Sequence, residues 1–322
     1  MSQAIDMKTI SLVSPAFNEE DNVERCYEVV RALFENELSG YQREHIFVDN
    51  ASSDRTVEIL RDLADKDPAV KVVVNARNFG VFRSVFNGLK YATGDAVLVM
   101  LPVDLQDPPE LLPEFVNLWE QGYEVVAGAR TEREESFSMR SFRNAFYWIV
   151  NKLSDFEITQ NVGEFQLLDR KVFDALMAHD DQYPYIRGMI ASLGFKRIIV
   201  PYVWKERKRG LSKHNLPMLV DQALNGIFSF TRAPMRFCTI VGLFISIFCI
   251  GFALLNVLLF FVNPELAPRG VTTIITALFF LSGIQMFFIG MLGEYVTSIH
   301  NQVRRGPIVV ERERINIDED AA

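Results

Sequence analysis

Asp104, Gln106 and Asp107 stand together directly behind the apolar run Asp95 to Leu101. A carboxylate beside an amide oxygen is a hard-oxygen pair. It suits Mg2+ or Mn2+ bridging phosphates, with water and substrate in the remaining positions. A loop aspartate is more often a cap than a ligand, and Asp107-Pro108-Pro109-Glu110 reads as a helix start capped by Asp107. Asp107 is therefore assigned to structure and Asp104 to the metal. Three more polar clusters precede this one: Phe17-Asn18-Glu19, Asp49-Asn50 and Arg77-Asn78.

The elements that must position these clusters alternate. Thr9 to Ser14 is a β-rich run, and Asn18-Glu19-Glu20-Asp21 caps a helix from Asn22 to Leu38. Glu44 to Val48 reads as a second strand, and Ser52 to Asp65 as a helix opened by polar side chains that accept from its free amides. Val70 to Val74 and Asp95 to Leu101 are further strands, the latter apolar enough to be buried on both faces, with a helix at Val81 to Ala92 between them. This alternation predicts an α/β fold with a doubly wound, mostly parallel sheet. Ligands of such sheets sit at the carboxyl ends of the strands. All four polar clusters fall at strand ends, so they read as one site. After Arg130 the pattern changes: a helix with an aromatic stripe over Phe137 to Leu153, a strand over Glu164 to Asp169, and an amphipathic helix over Asn215 to Thr231. The last suits a membrane interface or packing on the soluble domain.

Two apolar stretches follow, Phe237 to Val262 and Val271 to Tyr295, the second interrupted only by Glu294. At about 1.5 Å per residue each can span a hydrocarbon core of about 30 Å, and the short link Asn263 to Gly270 allows only a hairpin. The expected organisation is a catalytic domain over 1–214, a juxtamembrane helix over 215–236, a two-helix transmembrane hairpin over 237–295 and a tail over 296–322, charged and frayed from Glu311 onward. Lys205, Arg207, Lys208, Arg209, Lys213, Arg232 and Arg236 crowd ahead of the first stretch, and Arg304 and Arg305 follow the second. The link holds only Arg269, so the domain and both termini are expected on the cytoplasmic side of a multi-pass inner-membrane protein. A net charge of −8 argues against nucleic acid as partner. Cys26, Cys238 and Cys249 have neither disulfide nor zinc spacing. The opening MSQAIDMKTI has no apolar signal region, so the domain is not expected to be exported.

SPAFNEEDN (Ser14 to Asn22), VDNASSDRT (Val48 to Thr56), ARNFG (Ala76 to Gly80) and VDLQDPPE (Val103 to Glu110) stand in the order and spacing of family 2 inverting glycosyltransferases. The chain resembles that family from about Thr9 to Pro307. GEFQLLDRK (Gly163 to Lys171), RKRGLSK (Arg207 to Lys213) and the terminal hairpin narrow the resemblance to polyprenyl-phosphate glycosyltransferases. These include dolichol-phosphate-mannose-synthase-like enzymes and the bacterial undecaprenyl-phosphate glucosyl and aminoarabinosyl transferases.

The resemblance implies a glycosyltransferase-A-like fold and a transfer from a UDP- or GDP-linked sugar to a polyprenyl phosphate. It implies that Pro15, Phe17, Glu19 and Asp49 line the nucleotide pocket, with Phe17 flanking the base, Asn50 standing where a base-reading Asp is frequent, and Arg77 and Arg130 nearby. Asp104 and Gln106 would hold the metal on the diphosphate. Arg207, Arg209 and Lys213 would grip the lipid phosphate, for which guanidinium forks and the close approach allowed by Gly210 are suited. Lys205 and Lys208 serve anionic headgroups equally well. Glu164 is the candidate catalytic carboxylate, or else a substrate-binding one. Homo-oligomers are also implied.

Three positions depart from the family pattern. Pro102 replaces the first Asp of Asp-x-Asp and removes a negative charge near the metal. Glu164 replaces a shorter Asp, and Gln166 stands where close relatives often carry Arg. These departures motivate one alternative, a membrane-tethered scaffold with lost or altered transfer chemistry. A processive polysaccharide synthase is the other alternative, disfavoured by two spans and no Gln-x-x-Arg-Trp pentapeptide. Hexose, amino-sugar and pentose donors all remain compatible with the loops from Arg130 to Gly163.

Overall fold

Ile10, Leu12 and Val13 of the first strand have no exposed surface, because a strand with neighbours on both edges and helices on both faces is buried throughout. The computed structural model describes residues 7–131, 161–179, 181, 184–203, 233–262, 271–303 and 306–317. They divide into a sheet domain and a unit of long helices. The sheet domain runs β1 (Thr9–Ala16), α1 (Val23–Asn36), β2 (Gln42–Asp49), α2 (Thr56–Lys66), β3 (Val70–Asn75), α3 (Val81–Leu89) and β4 (Ala96–Leu98). After a single 3-10 turn come α4 (Leu112–Glu120), β5 (Val125–Arg130), β6 (Val162–Asp169), α5 (Arg170–Met177), α6 (Ile186–Ser192), β7 (Arg197–Tyr202) and finally β8 (Glu311–Ile315).

The strands form one sheet in the order β7-β5-β6-β4-β1-β2-β3-β8. β1 is parallel to β2 and β4, β2 to β3, and β5 to β7. β6 runs antiparallel between β4 and β5, and β8 antiparallel on β3. The chain steps outward from β1 to β3, then returns past β1 to β4. That reversal opens a crevice at the carboxyl ends of β1 and β4.

Alternation along the strands sorts the two faces. Ile10, Leu12, Phe47, Val72, Leu98 and Phe165 pack with α1, α2 and α4 into one apolar core. On the other face lies α3, where a Cβ on Gly88 would come 2.3 Å from Val48 Cγ2 and 3.1 Å from Val13 Cγ1. The turn into β4 approaches β1 still more tightly: a Cβ on Gly94 would meet Thr9 O at 2.7 Å and Ser11 N at 2.8 Å. Main chain cannot step aside as a side chain can. Gly94→Ala should therefore cost about 3 kcal/mol, the upper range for overpacking, and lower the unfolding midpoint by roughly 6–12 °C. A midpoint within about 2 °C of wild type would refute the steric reading.

Three expectations need correction. α1 begins at Val23 without a side-chain cap, because the polar residues ahead of it bond instead to the loop that opens α2. The strand expected over Asp95 to Leu101 keeps regular pairing only at Ala96–Leu98. Val99 N and Leu101 N nevertheless still donate to Gln166 O and Val13 O. The tail is not frayed from Glu311: residues 311–315 form β8, since an edge strand can turn its charges outward and pair them while its main chain completes the ladder. Arg61 and Glu313 form one such pair.

The second unit holds α7 (Ala233–Val262) and α8 (Val271–Val303), which cover both expected apolar stretches and extend beyond them. Leu243, Phe244, Phe248, Met286 and Ile289 are exposed on their surfaces. Among the described residues one helical segment, Phe280–Thr297, is long and apolar enough to cross a membrane, and α7 carries a shorter apolar run, Cys238–Phe252. The helices expected over 137–153 and 215–231 and the link over 263–270 lie outside the described residues.

Candidate functional site

Two strand-end loops are laced together at the carboxyl edge. Asn18, at a positive φ of 55°, receives Ser53 N on its Oδ1 at 2.8 Å, while its own N–H donates to Ser52 Oγ at 2.9 Å. Glu19 N donates to Thr56 Oγ1, and Arg55 N to Glu20 Oε2. The Glu19 carboxylate accepts from Asn22 Nδ2. Pro15 and Phe17 are half-buried beside this lacing, which holds the loop after β1 against the loop after β2.

Asp49 closes β2 and is fully buried. Its Oδ2 accepts from Ser52 N at 3.0 Å, while Oδ1 has no hydrogen-bond partner among the described residues. Burial pushes its carboxyl above the usual range, against the hydrogen bonds from Ser52 and Ala51. A buried acceptor left unsatisfied is costly unless a ligand donor meets it.

Asn50 behaves differently. Its Oδ1 accepts from Phe79 N at 2.9 Å and Asn75 Nδ2 at 3.2 Å, and its Nδ2 donates to Asn78 Oδ1 at 2.9 Å. Of the two neighbours, Asp49 keeps the spare acceptor and Asn50 staples the loop after β3. Arg77 on that loop is exposed, its guanidinium 4.0 Å from the Phe79 ring centroid.

Asp104 sits on a turn closed by Leu105 N to Pro102 O at 3.0 Å, with Leu105 at a positive φ of 55°. Its Oδ1 accepts from Gln106 N at 3.3 Å. The turn is tied to β1 by Leu101 N on Val13 O, so it stands at the switch point. Asp104 also bears on Cys26 of α1, whose buried thiol is pushed up to about 12, chiefly by burial.

Asp107 does not cap a helix. The 3-10 turn at Pro109–Leu111 has no side-chain cap, and the Asp107 carboxylate instead receives Arg130 Nη2 at 3.0 and 3.2 Å and the Tyr202 hydroxyl. Proline at the helix start has no amide to offer, so this buried carboxylate finds its donors across the sheet. Arg130, at the end of β5, thereby pairs with Asp107, and its Nε donates to the Tyr202 hydroxyl at 3.2 Å.

Glu164 lies near the start of β6, and because β6 is antiparallel this brings it to the same edge as the ends of β4 and β5. It is buried. Its Oε1 has no hydrogen-bond partner among the described residues, with Arg187 Nε 3.7 Å away in an ion pair. Burial pushes its carboxyl up, opposed by the charges of Arg187 and Arg130. Gln166 Nε2 turns to Gly163 O.

Arg187 and Tyr202 belong to none of the sequence motifs. In the sequence Arg187 is marked only as a lone cation amid Ile186, Gly188 and Met189. Arg207, Arg209 and Lys213 lie outside the described residues.

Two family descriptions match the chain: "Glycosyl transferase family 2" over residues 11–177 and "GtrB C-terminal hairpin" over residues 233–299. The chain belongs to glycosyltransferase family 2. Among similar curated proteins of this family is the SfII prophage-derived bactoprenol glucosyl transferase of Shigella flexneri. It is 36% identical over 301 residues, which are 92% of this chain and 96% of that protein. The prophage bactoprenol glucosyl transferase homolog of Escherichia coli (strain K12) is 37% identical over 301 residues, 92% of this chain and 96% of that one. Among solved structures, glucosyl-3-phosphoglycerate synthase from Mycobacterium tuberculosis, in complex with Mn2+, UDP and glucosyl-3-phosphoglycerate, is 20% identical. That match covers 69% of this chain and 78% of the other, with a TM-score of 0.46.

In this family 2 glycosyltransferase no group of three or more His, Cys, Asp or Glu side chains gathers at metal-binding distance among the described residues. A single turn carboxylate such as Asp104 still fits a hard cation of the Mg2+ type, which is usually held by one or two carboxylates plus substrate phosphates and water.

Proposed function

We propose that this enzyme transfers a sugar from a UDP- or GDP-linked donor to a polyprenyl phosphate at the cytoplasmic face of a membrane, with inversion at the sugar C1. The observation that carries the reading is the joining, in one chain, of a family 2 sheet domain to two long helices whose apolar side chains are exposed. Exposed apolar surface of this extent calls for a lipid environment or partners, and an acceptor that itself resides in lipid gives the helices a purpose. The bactoprenol glucosyl transferases, similar over nearly the full chain, support the acceptor class. Multi-pass insertion and homo-oligomers belong to the same proposal.

The chemistry follows from the groups at hand. A phosphate monoester has a second pKa near about 6, so its oxygen is largely ionised at neutral pH and needs no strong base. That oxygen attacks C1 as the bond from C1 to the nucleoside diphosphate breaks, and no proton has to move. Asp49 offers its spare buried oxygen to an N–H on the base edge, with Pro15, Phe17 and Glu19 shaping that pocket and Arg77 beside it. Mg2+ or Mn2+, held by Asp104 with Gln106, would supply charge for the departing diphosphate. Glu164, buried beside Arg187, orients a sugar hydroxyl or the acceptor. Arg207, Arg209 and Lys213 are assigned to the lipid phosphate.

Detergent-purified protein incubated with undecaprenyl phosphate, Mg2+ and a panel of UDP- and GDP-sugars should yield a lipid-phospho-sugar by mass spectrometry. Absence of product with every donor, together with absence of nucleotide binding, would overturn the proposal. Glu164→Gln keeps the shape and removes the charge. It should lower kcat about 100-fold, as misplacement of a reacting group does, while leaving donor KM within about threefold. An unchanged kcat would remove Glu164 from the reaction.

A further inference from the structure

The loop that Asn50 holds from one side is held from the other by the tail. Ala76 N donates to Val310 O at 2.8 Å, and Arg312 Nη2 donates to Ala76 O at 3.2 Å. Both main-chain polar groups of Ala76 are thus taken by residues near the end of the chain. The β3–β8 ladder slips there, with Val74 opposite Glu313 and Asn75 opposite Glu311, leaving Arg312 as the extra residue. Bulges of this kind re-aim a side chain.

Glu311 faces inward. Its carboxylate accepts from Asn87 Nδ2 on α3 and from the Tyr91 hydroxyl just beyond α3, and it pairs with Arg314. Burial pushes the Glu311 carboxyl up, but Arg314, Asn87 and Tyr91 together hold it below the ordinary range. Val309 is buried ahead of it, and Asn316 Nδ2 closes the far end of the strand on Ala64 O at 2.7 Å and Val70 O at 2.9 Å.

A charged strand added to a sheet edge can serve simply to blunt that edge. Blunting needs the ladder alone. It requires neither an inward carboxylate satisfied by Asn87 and Tyr91 at α3 nor a guanidinium aimed at the first residue after β3. We infer that β8 is a positioning segment for the donor pocket: through Val310, Glu311 and Arg312 it sets the loop Asn75–Gly80, which carries Arg77 and Phe79 and is bonded to Asn50, the neighbour of Asp49. The inference rests on the proposed reading that the nucleotide lies against Asp49 and Arg77. It adds that the segment following the membrane helices determines donor affinity.

The test uses the full chain in detergent, titrated with UDP and with GDP in the presence of Mg2+, with amide exchange followed at Ala76 and Phe79. Arg312→Ala and Glu311→Ala should each weaken the nucleotide that wild type binds by about five- to tenfold, the scale of one or two hydrogen bonds. Both should accelerate exchange at Ala76. Glu311→Gln keeps an acceptor for Asn87 and Tyr91 and should recover most of the affinity. Glu313→Ala loses only the exposed pair with Arg61 and should stay within about twofold of wild type. Unfolding midpoints are measured for every variant. Wild-type affinity in Glu311→Ala and Arg312→Ala, with or without a lowered midpoint, would make β8 merely structural and overturn the inference. If wild type binds neither nucleotide, the donor-site reading itself fails and the inference with it, even where exchange at Ala76 still reports the tail's grip on the loop.

Discussion

Asp104→Ala is expected to reduce sugar transfer by about 10²–10³-fold, the scale for removing one preorganised group that stabilises developing charge. Asp104 stands alone as a carboxylate on its turn, because Pro102 occupies the position where the family pattern carries a second one. The turn loses the Gln106 N bond to Asp104 Oδ1 but keeps its main-chain closure, Leu105 N on Pro102 O, and its anchor, Leu101 N on Val13 O. The variant should therefore fold normally, and its deficit should appear in kcat and in Mg2+-dependent nucleotide affinity. Metal-free nucleotide affinity should stay at the wild-type value. Asp104→Asn separates charge from shape and should behave like alanine. Activity within threefold of wild type in either variant would remove Asp104 from the metal and from the reaction.

The second large effect concerns stability. Asp107→Ala should destabilise the sheet domain by about 3 kcal/mol, because it removes the buried acceptor that Arg130 Nη2 and the Tyr202 hydroxyl share. The side chain of Asp107 is 1% exposed and that of Arg130 25% exposed, so water only partly compensates, and the loss falls at the low end for breaking a buried pair. A helix cap, as the Asp-Pro-Pro-Glu pattern suggests, would be worth about 1 kcal/mol. Thermal unfolding distinguishes the two: a drop of roughly 6–12 °C fits the ion pair, and one of roughly 2–4 °C fits the cap. Asp107→Leu combined with Arg130→Met should recover much of the loss, since apolar replacement of a whole buried pair is often neutral.

Asp107 illustrates how site residues can be legible in kind and obscure in role. Its assignment to structure followed from the prolines behind it, yet its partners, Arg130 and Tyr202, lie 23 and 95 residues away along the chain. Asn50 is similar. Its neighbour Asp49 is equally visible, but only their hydrogen bonds reveal that Asn50 bonds to Asn75, Asn78 and Phe79 while Asp49 Oδ1 has no partner among the described residues.

The sequence by itself determined the alternation of strands and helices, the two long apolar helices, and the placing of Asp49 and Asp104 at strand carboxyl ends, whereas Glu164 reaches that edge only because β6 runs antiparallel. These follow from local periodicity and from the rule that parallel strands present their carboxyl ends together. Tertiary structure alone decided the pairing. It set Arg187 against Glu164, gave Arg130 to Asp107, and turned a charged tail into β8 by joining Glu311 to Asn87 across 224 residues. Such choices rest on which buried charge or sheet edge remains unsatisfied once the core has packed, and that depends on partners no local pattern specifies.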